Sequence, residues 1–456
     1  MRPAVLIGLG WALLIAAWIG GNPPFAGADE QWHYARAIGD LVGAPAKASL
    51  GANELQVAWT NQATRAVTIP GGLAPPSAGC YIFDPRTPAT CLDHWHPPPG
   101  PTRFVTPVGT YEPLPYLLPA VAMKPASSPN AALMLGRIAS ALAAGALLLV
   151  ALLLLQDSLL GLVVAVTPMV LFSVSLLNGS GLEIAAAIAF SAALLRKSWT
   201  AVAITGAILA LSRSAGPLWV VLIGLLFQGW KAPRRALAIV GLAIAANRVW
   251  EAIYGPDLML GVANARHAIG PAFKEWWRAS IDLVGKFGYL EIHVPLWTAL
   301  LWLALLLALV AMAFRADRLR VGAAVLTALV FPPLFWLVQY RHTGFDLQGR
   351  QMLPLLVALP ILCGSLVNQR RLLPLALALT APMQFIAWYV NARRSAVGTG
   401  GPLYFLDHAK WTPAGGWAPW LVLAALGSLT LLGNSLLMQR SSWRGYARLD
   451  ATPGGH

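Results

Sequence analysis

Charged residues are scarce in this sequence. Asp, Glu, Lys and Arg make up 11% of its 456 positions, whereas soluble globular domains contain about a quarter. A chain this poor in charge, with 57% hydrophobic residues, is not an ordinary soluble domain. Its apolar residues are grouped in runs close to the roughly 20 residues needed to cross a hydrocarbon core. The composition therefore predicts that lipid surrounds most of the chain.

Acidic residues are the scarcer of the two charged classes, 18 against 32 basic residues, so the net charge is +14. An excess of this size is also found in nucleic-acid-binding proteins. Here, however, the basic residues form short clusters between apolar runs, and we find no basic patch interleaved with aromatic residues. The distribution excludes a nucleic-acid partner and is typical of a chain oriented by the positive-inside rule.

Cysteine occurs only three times. Cys80 and Cys91 are eleven positions apart in one polar segment, where an oxidising compartment permits a disulfide that closes a small loop. Two unpaired thiols are the alternative. Cys363 lies inside an apolar run, where packing is its expected role.

The hydrophobic pattern predicts an all-α polytopic membrane protein with about 12 transmembrane helices and a large first extracytoplasmic loop. The first span is expected to be retained, because no Ala-x-Ala-like cleavage site follows it. The predicted spans are residues 3–21, 131–155, 159–177, 182–195, 199–212, 216–230, 236–254, 295–314, 321–339, 351–367, 372–390 and 418–437. The corresponding organisation is a first helix (1–21), an outer loop (22–130), helices 2–7 (131–254), a second outer loop (255–294), helices 8–12 (295–437) and a tail (438–456).

The charges between these spans predict the orientation. With both termini in the cytoplasm, the inner loops and tails hold 14 Lys and Arg against 3 Asp and Glu, and the much longer outer segments hold 18 against 15. This difference obeys the positive-inside rule. We therefore expect the long first loop to lie outside the cytoplasm.

The clearest candidate for chemistry is the acidic pair Asp29 and Glu30, just beyond the first span and followed by Trp32 and His33. Two carboxylates at the membrane surface can accept a proton from a hydroxyl or hold a divalent cation such as Mg²⁺ or Mn²⁺. A solvated helix start is the alternative. Glu30 and His33 share a helical face, but the pattern lacks the second histidine of a zinc-protease motif. Asp93, His94 and His96 form a second cluster, which reads more simply as an ordered turn.

Ionisable residues at membrane depth are costly, so each is a functional candidate. Arg213 lies between two short spans, and Arg350 begins a later one. Both are predicted at the outer leaflet, where a guanidinium can bind a lipid phosphate with two hydrogen bonds. Snorkelling to the interface is the alternative for Arg213. Glu183 begins another helix on the same side and is explained equally well by the positive end of that helix.

Six segments carry a resemblance to a known family: Pro23-Pro24 with Asp29-Glu30 and His33, residues 111–116, Thr167-Pro168-Met169, residues 178–183, residues 287–291, and Gln348-Gly349-Arg350 with Leu353-Pro354. Taken together, they resemble a bacterial family of membrane proteins, domain of unknown function 2142, whose topology is similar to that of the GT-C class of membrane glycosyltransferases. Two departures from the family pattern are visible. The Pro-Pro pair stands further from Asp29 than in the family, and Gln351 occupies a position where an aromatic residue commonly follows Gly-Arg.

The resemblance implies a multi-pass protein of the bacterial inner membrane that transfers a sugar from a polyprenyl-phosphate donor to a cell-envelope glycan or lipid. Asp29 is then expected to be the base, with Glu30 as its partner or a metal ligand. His33 positions the substrate and Arg213 and Arg350 bind the phosphate. The set of expected substrate-binding residues is completed by Tyr111, Glu183 and Gln348. The alternatives are a multi-pass transporter or flippase and a non-catalytic assembly protein; no repeat between the two halves favours the transporter.

Overall fold

The computed structural model describes residues 3–42, 60–93, 95–256 and 269–449. Within these ranges the chain is mainly helical, as expected where lipid offers no hydrogen bonds to an open backbone. The helices are α1 (Pro3–Gly21), α2 (Glu30–Ile38), α3 (Leu114–Met123), α4 (Pro129–Leu154), α5 (Leu159–Ala165), α6 (Pro168–Val174), α7 (Gly179–Leu195), α8 (Trp199–Ser212), α9 (Gly216–Leu226), α10 (Arg234–Tyr254), α11 (Ile269–Asp282), α12 (Leu296–Ala316), α13 (Arg318–Thr343), α14 (Gly349–Leu356), α15 (Ala358–Leu366), α16 (Gln369–Val397) and α17 (Ala418–Leu449).

Eight segments in the described part of the chain are long and apolar enough to cross a membrane, which supports a multi-pass protein. They lie in α1, α4, α10, α12, α13, α16 and α17, and in the consecutive helices α14 and α15. Three more predicted spans correspond to α7, α8 and α9, which are apolar but shorter. The predicted total of about 12 crossings therefore stays a prediction.

The predicted span over residues 159–177 is not one continuous helix, because α5 ends before α6 begins at Pro168. Proline has no N–H and cannot continue the ladder of a helix. Carbonyl groups left free near the break accept hydrogen bonds from other helices. Trp302 Nε1 donates to Val164 (3.0 Å) and Gln384 Nε2 donates to Val166 (2.9 Å). The expectation of a single helix here was wrong, and the irregular backbone lies inside protein, as membrane proteins require.

The segment between α1 and α4 has its own structure. Its strands β1 (Asp40–Val42), β2 (Arg65–Ile69) and β3 (Thr102–Thr106) form an antiparallel sheet in that order, with Asp40 paired to Thr68 and Arg65 paired to Thr106. Val67 and Ile69, on one face of β2, are buried and pack with Ala35 of α2. The sheet thereby fixes α2 and the acidic pair at its start.

The helices bring together the segments that carry the candidate residues. Helix α1 packs along α17, and α4 packs against α3 and α7. The strands β4 (Lys286–Phe287) and β5 (Ile292–His293) form a short antiparallel hairpin. Phe287 of this hairpin contacts Trp18 of α1 and Phe172 of α6, with ring centroids 4.9 and 5.1 Å apart, respectively. This buried aromatic cluster packs the hairpin against the last turns of α1, the helix that precedes the acidic pair in the chain.

Candidate active site

Asp29 stands immediately before α2 with φ of +63°, a left-handed conformation. Aspartate tolerates this conformation better than most residues other than glycine and asparagine. The carboxylate makes no capping bond to its own helix. It accepts a hydrogen bond from Arg350 Nη2 at 3.0 Å, and about a third of the side chain (32%) remains exposed. The predicted base and a predicted phosphate-binding arginine, 321 positions apart, are therefore in direct contact.

Arg350 is held in place by the first turn of α14. Its Nε donates to Gln348 Oε1 at 2.8 Å. Gln348 is also the N-cap of α14, and Gln351 closes the reciprocal capping box by accepting from the Gln348 backbone N–H at 3.1 Å. Gln351, which departs from the family pattern, thus serves the helix start. Gln348 orients the guanidinium, and its predicted binding of substrate is not needed to explain its position.

Arg213 lies at the junction of α8 and α9, as predicted. Its guanidinium is over the ring of Tyr111, 5.3 Å from the centroid, and Nη1 donates to Ser180 Oγ at 3.0 Å. Glu183 lies 4.0 Å from Arg213 and accepts a 2.8 Å hydrogen bond from Trp219 Nε1. Glu183 is buried and contacts both Trp219 and Arg213. Its carboxylate therefore helps to hold the Arg213 guanidinium in place.

His33 contacts Tyr116 and lies near the guanidiniums of Arg213 and Arg350. Its Nδ1 is 2.7 Å from the hydroxyl of Tyr116, and the two rings stack 5.8 Å apart. Burial holds the pKa of His33 well below its usual range, and the nearby guanidiniums of Arg213 and Arg350 lower it further. The imidazole is therefore neutral at physiological pH, and its predicted role in positioning a substrate stays a prediction.

Glu30 has a different environment from its neighbour. Its side chain is fully buried, and its carboxylate forms a two-point ion pair with Arg137, with Nε to Oε1 at 2.7 Å and Nη2 to Oε2 at 2.6 Å. Oε1 also accepts from the backbone N–H of Leu177. A carboxylate occupied in this way does not fit the expected role of catalytic partner or metal ligand. The geometry instead makes Glu30 a positioning residue for Asp29.

Arg137 is the main residue that the sequence reasoning missed. Besides Glu30, it donates to the carbonyls of Ile19 (3.1 Å), Asn22 (3.0 Å) and Pro23 (2.8 Å). All of its N–H groups are therefore used, since arginine has five. All three acceptors lie in the last turn of α1 or just past its end, where carbonyls lack helical partners. The available signal was an arginine inside a predicted span, a costly position.

Tyr289 was also missed as an individual candidate. It is a buried residue of the β4–β5 hairpin, and its hydroxyl lies next to the backbone N–H of Asp29 without forming a well-aligned hydrogen bond. Burial raises the pKa of Tyr289, and the nearby carboxylates of Asp29 and Glu30 raise it further. The hydroxyl is thus a neutral donor beside the candidate base.

The cation expectation is not supported by the residues present. Asp29 faces a guanidinium and Glu30 is paired with another. Among the described residues, no group of three His, Cys, Asp or Glu side chains is arranged to hold a metal ion. In the second predicted cluster, Asp93 accepts from Trp411 Nε1 at 3.1 Å, and His94 lies outside the described residues.

The predicted disulfide between Cys80 and Cys91 is present, with Cα atoms 6.3 Å apart. It joins two short 3₁₀ turns, Ala78–Cys80 and Ala89–Leu92. We call residues 80–91 the disulfide loop. Cys363 is free and buried, as expected.

The family model described as a predicted membrane protein (DUF2142) matches residues 12–359, most of the chain. Asp29, Arg137, Arg213 and Arg350 all lie within this range. No curated protein and no solved structure matches the chain significantly.

Proposed function

Because this chain belongs to the DUF2142 family of membrane proteins, for which the family assignment supplies no activity, we propose its function from the site: a GT-C-like glycosyltransferase. It transfers a sugar from a polyprenyl-phosphate donor to a cell-envelope glycan or lipid on the outer face of the bacterial inner membrane. The proposal includes about 12 crossings and cytoplasmic termini, which the charge distribution supports.

The observation that carries the proposal is the contact between the carboxylate of Asp29 and the guanidinium of Arg350 at 3.0 Å, with His33 and Arg213 close to it. A base and phosphate-binding cations are the two groups that sugar transfer from a lipid phosphate requires. A hydroxyl attacks the anomeric carbon as the bond to the phosphate oxygen breaks. That bond pair moves to the phosphate, and the hydroxyl proton moves to the base.

The ion pair suggests how Asp29 becomes available. When the donor phosphate binds, it competes for Arg350, because a guanidinium binds phosphate and carboxylate with the same planar geometry. Asp29 then faces the acceptor hydroxyl with less of its charge neutralised. Arg213 and Arg350 stabilise the additional negative charge on the departing phosphate. A single displacement of this kind inverts the configuration at the anomeric carbon.

The test is complementation of a deletion strain of the native bacterium with wild type, Asp29→Asn and Asp407→Asn. Asparagine keeps the shape and tolerates the left-handed backbone of position 29, and Asp407 is an exposed aspartate in the segment before α17. We expect wild type and Asp407→Asn to restore the missing envelope sugar, measured by mass spectrometry at equal membrane protein levels, and Asp29→Asn to restore none.

Full restoration by Asp29→Asn would refute the catalytic assignment. If the deletion leaves envelope glycans chemically unchanged and a labelled lipid instead crosses reconstituted vesicles only with the protein present, the chain is a transporter or flippase.

A further inference from the structure

The disulfide loop carries an aromatic side chain in an unusual state. Phe83 is 72% exposed, and its φ is +62°. Water disfavours large exposed aromatic surface, and a positive φ is unfavourable for a residue with a bulky side chain. Both features oppose stability at one position, and strained residues of this kind concentrate at ligand-binding sites.

The loop is fixed firmly enough to keep Phe83 in this conformation. Arg394 of α16 donates to the carbonyls of Tyr81 (2.8 Å), Asp84 (3.1 Å) and Thr87 (3.1 Å). The disulfide closes the loop, and the backbone N–H of residue 399 donates to the carbonyl of residue 85 at 2.8 Å. A strained residue persists when its surroundings determine its conformation in this way. Phe83 is therefore rigidly presented.

Phe83 is connected to the candidate base through Tyr289. Its ring meets the ring of Tyr289 edge-to-face, with centroids 5.6 Å apart and planes at 75°. The hydroxyl of Tyr289, buried and without a well-formed hydrogen bond, lies near the backbone N–H of Asp29. Phe83 and Asp29 are therefore both neighbours of one side chain, that of Tyr289.

The charged residues next to Phe83 indicate which class of ligand can pack on its ring. Asp84 and Arg86, which flank the tip of the loop, are exposed, so the ring is surrounded by water-facing charge. A lipid tail is excluded from such surroundings. The C–H face of a sugar ring fits them, because its polarised hydrogens pack on the negative face of an aromatic ring while its hydroxyl groups stay hydrated or reach polar side chains.

We propose that Phe83 and Tyr289 form an acceptor subsite for a saccharide, whose ring packs on Phe83 and whose reacting hydroxyl points between Tyr289 and Asp29. The inference deepens the proposed function by making the acceptor a glycan. Its binding step is nevertheless independent of whether transfer occurs.

The experiment measures binding of methyl hexosides, methyl pentosides and their disaccharides to the full-length protein in detergent, by saturation-transfer NMR and titration. The variants are Phe83→Ala, Phe83→Trp and, as a matched control, Leu403→Ala, which removes an apolar side chain that is 77% exposed. We expect at least one probe to bind wild type, with saturation strongest on the C–H protons of one ring face.

Phe83→Ala is expected to weaken that binding at least fivefold, whereas Phe83→Trp and Leu403→Ala retain it. Equal binding by wild type and Phe83→Ala, or no binding of any probe by wild type, would overturn the subsite. Binding that depends on Phe83 in a protein that transfers no sugar would support the subsite and refute only the proposed function.

Discussion

Replacement of Arg137 by methionine is expected to destabilise the protein severely. The substitution leaves Glu30 as a fully buried, unpaired carboxylate and removes the donors to three backbone carbonyls. Removing one partner of a buried ion pair costs about 3–5 kcal/mol. Each orphaned carbonyl adds about 1–3 kcal/mol where water cannot reach it. With the lower limits, about 3 kcal/mol for the ion pair and about 1 kcal/mol for each of the three carbonyls, the free energy of unfolding should fall by about 6 kcal/mol or more.

A double-mutant cycle separates these two contributions. Glu30→Gln leaves the guanidinium without its counter-charge but keeps the carbonyl contacts, and the double variant Glu30→Gln/Arg137→Met removes both charges. We expect the double variant to be more stable than the sum of the single effects predicts, by about 2 kcal/mol or more, as is usual for directly contacting charges. It should not regain wild-type stability, because the carbonyls of Ile19, Asn22 and Pro23 remain unsatisfied.

The assay is unfolding by denaturing detergent, followed by tryptophan fluorescence, with Arg196→Met as the control. Arg196 forms an ion pair with Asp157 at a similar distance, 2.9 Å, but the two side chains are 39% and 75% exposed. Exposed pairs contribute about 1 kcal/mol or less. Strictly additive effects in the cycle, or equal losses for Arg137→Met and Arg196→Met, would show that the Arg137 network does not hold this part of the fold.

Two further predictions concern the site and its border. Arg350→Lys replaces the planar guanidinium that contacts Asp29 and is expected to slow sugar transfer about 100-fold, measured as an initial rate. Arg278→Lys, at an exposed position, should leave the rate unchanged. An unaffected rate in Arg350→Lys would contradict the proposed binding of phosphate by Arg350. Burial and a hydrogen bond with Glu251 raise the pKa of Glu112 to about 8, so the folded state holds this proton more tightly than the unfolded chain, and stability should fall as the pH rises from about 4.5 to 8. Glu112→Gln removes this contribution, so the melting temperature of the variant relative to that of wild type should rise as the pH rises across this range. Parallel curves of melting temperature against pH for the two proteins would refute the raised pKa of Glu112.

The apolar pattern predicted the helices well because their length and composition follow from the lipid environment. Helix α8 has the predicted bounds, 199–212, since basic residues and Ser212 mark its ends. The break before Pro168 was missed, although the proline was visible. Hydropathy alone registers an apolar run, whereas the unwinding there depends on donors from distant helices.

The site was predicted in part. Asp29 was selected as one of two adjacent carboxylates at the membrane surface, and Arg213 and Arg350 were selected because ionisable residues at membrane depth are costly. The structure brings Asp29 and Arg350 into contact. Glu30 was grouped with Asp29 because the two are adjacent. Asp29 has a left-handed backbone and precedes α2, whereas Glu30 is the first residue of α2. The two side chains have different partners, Arg350 for Asp29 and Arg137 for Glu30. Their distinction depends on Arg137, more than 100 positions later, and local sequence contains no information about that pairing.

The interrupted segment of α5 and α6 has a consequence for biosynthesis. The side chains that bind its free carbonyls, Trp302 and Gln384, are synthesised 138 and 218 positions after their acceptors. Until those later helices have entered the bilayer, the unwound backbone would face hydrocarbon with unsatisfied carbonyls, which is costly. We therefore expect this early segment to take its final shape late, so that truncated nascent chains ending before residue 302 carry it in another conformation.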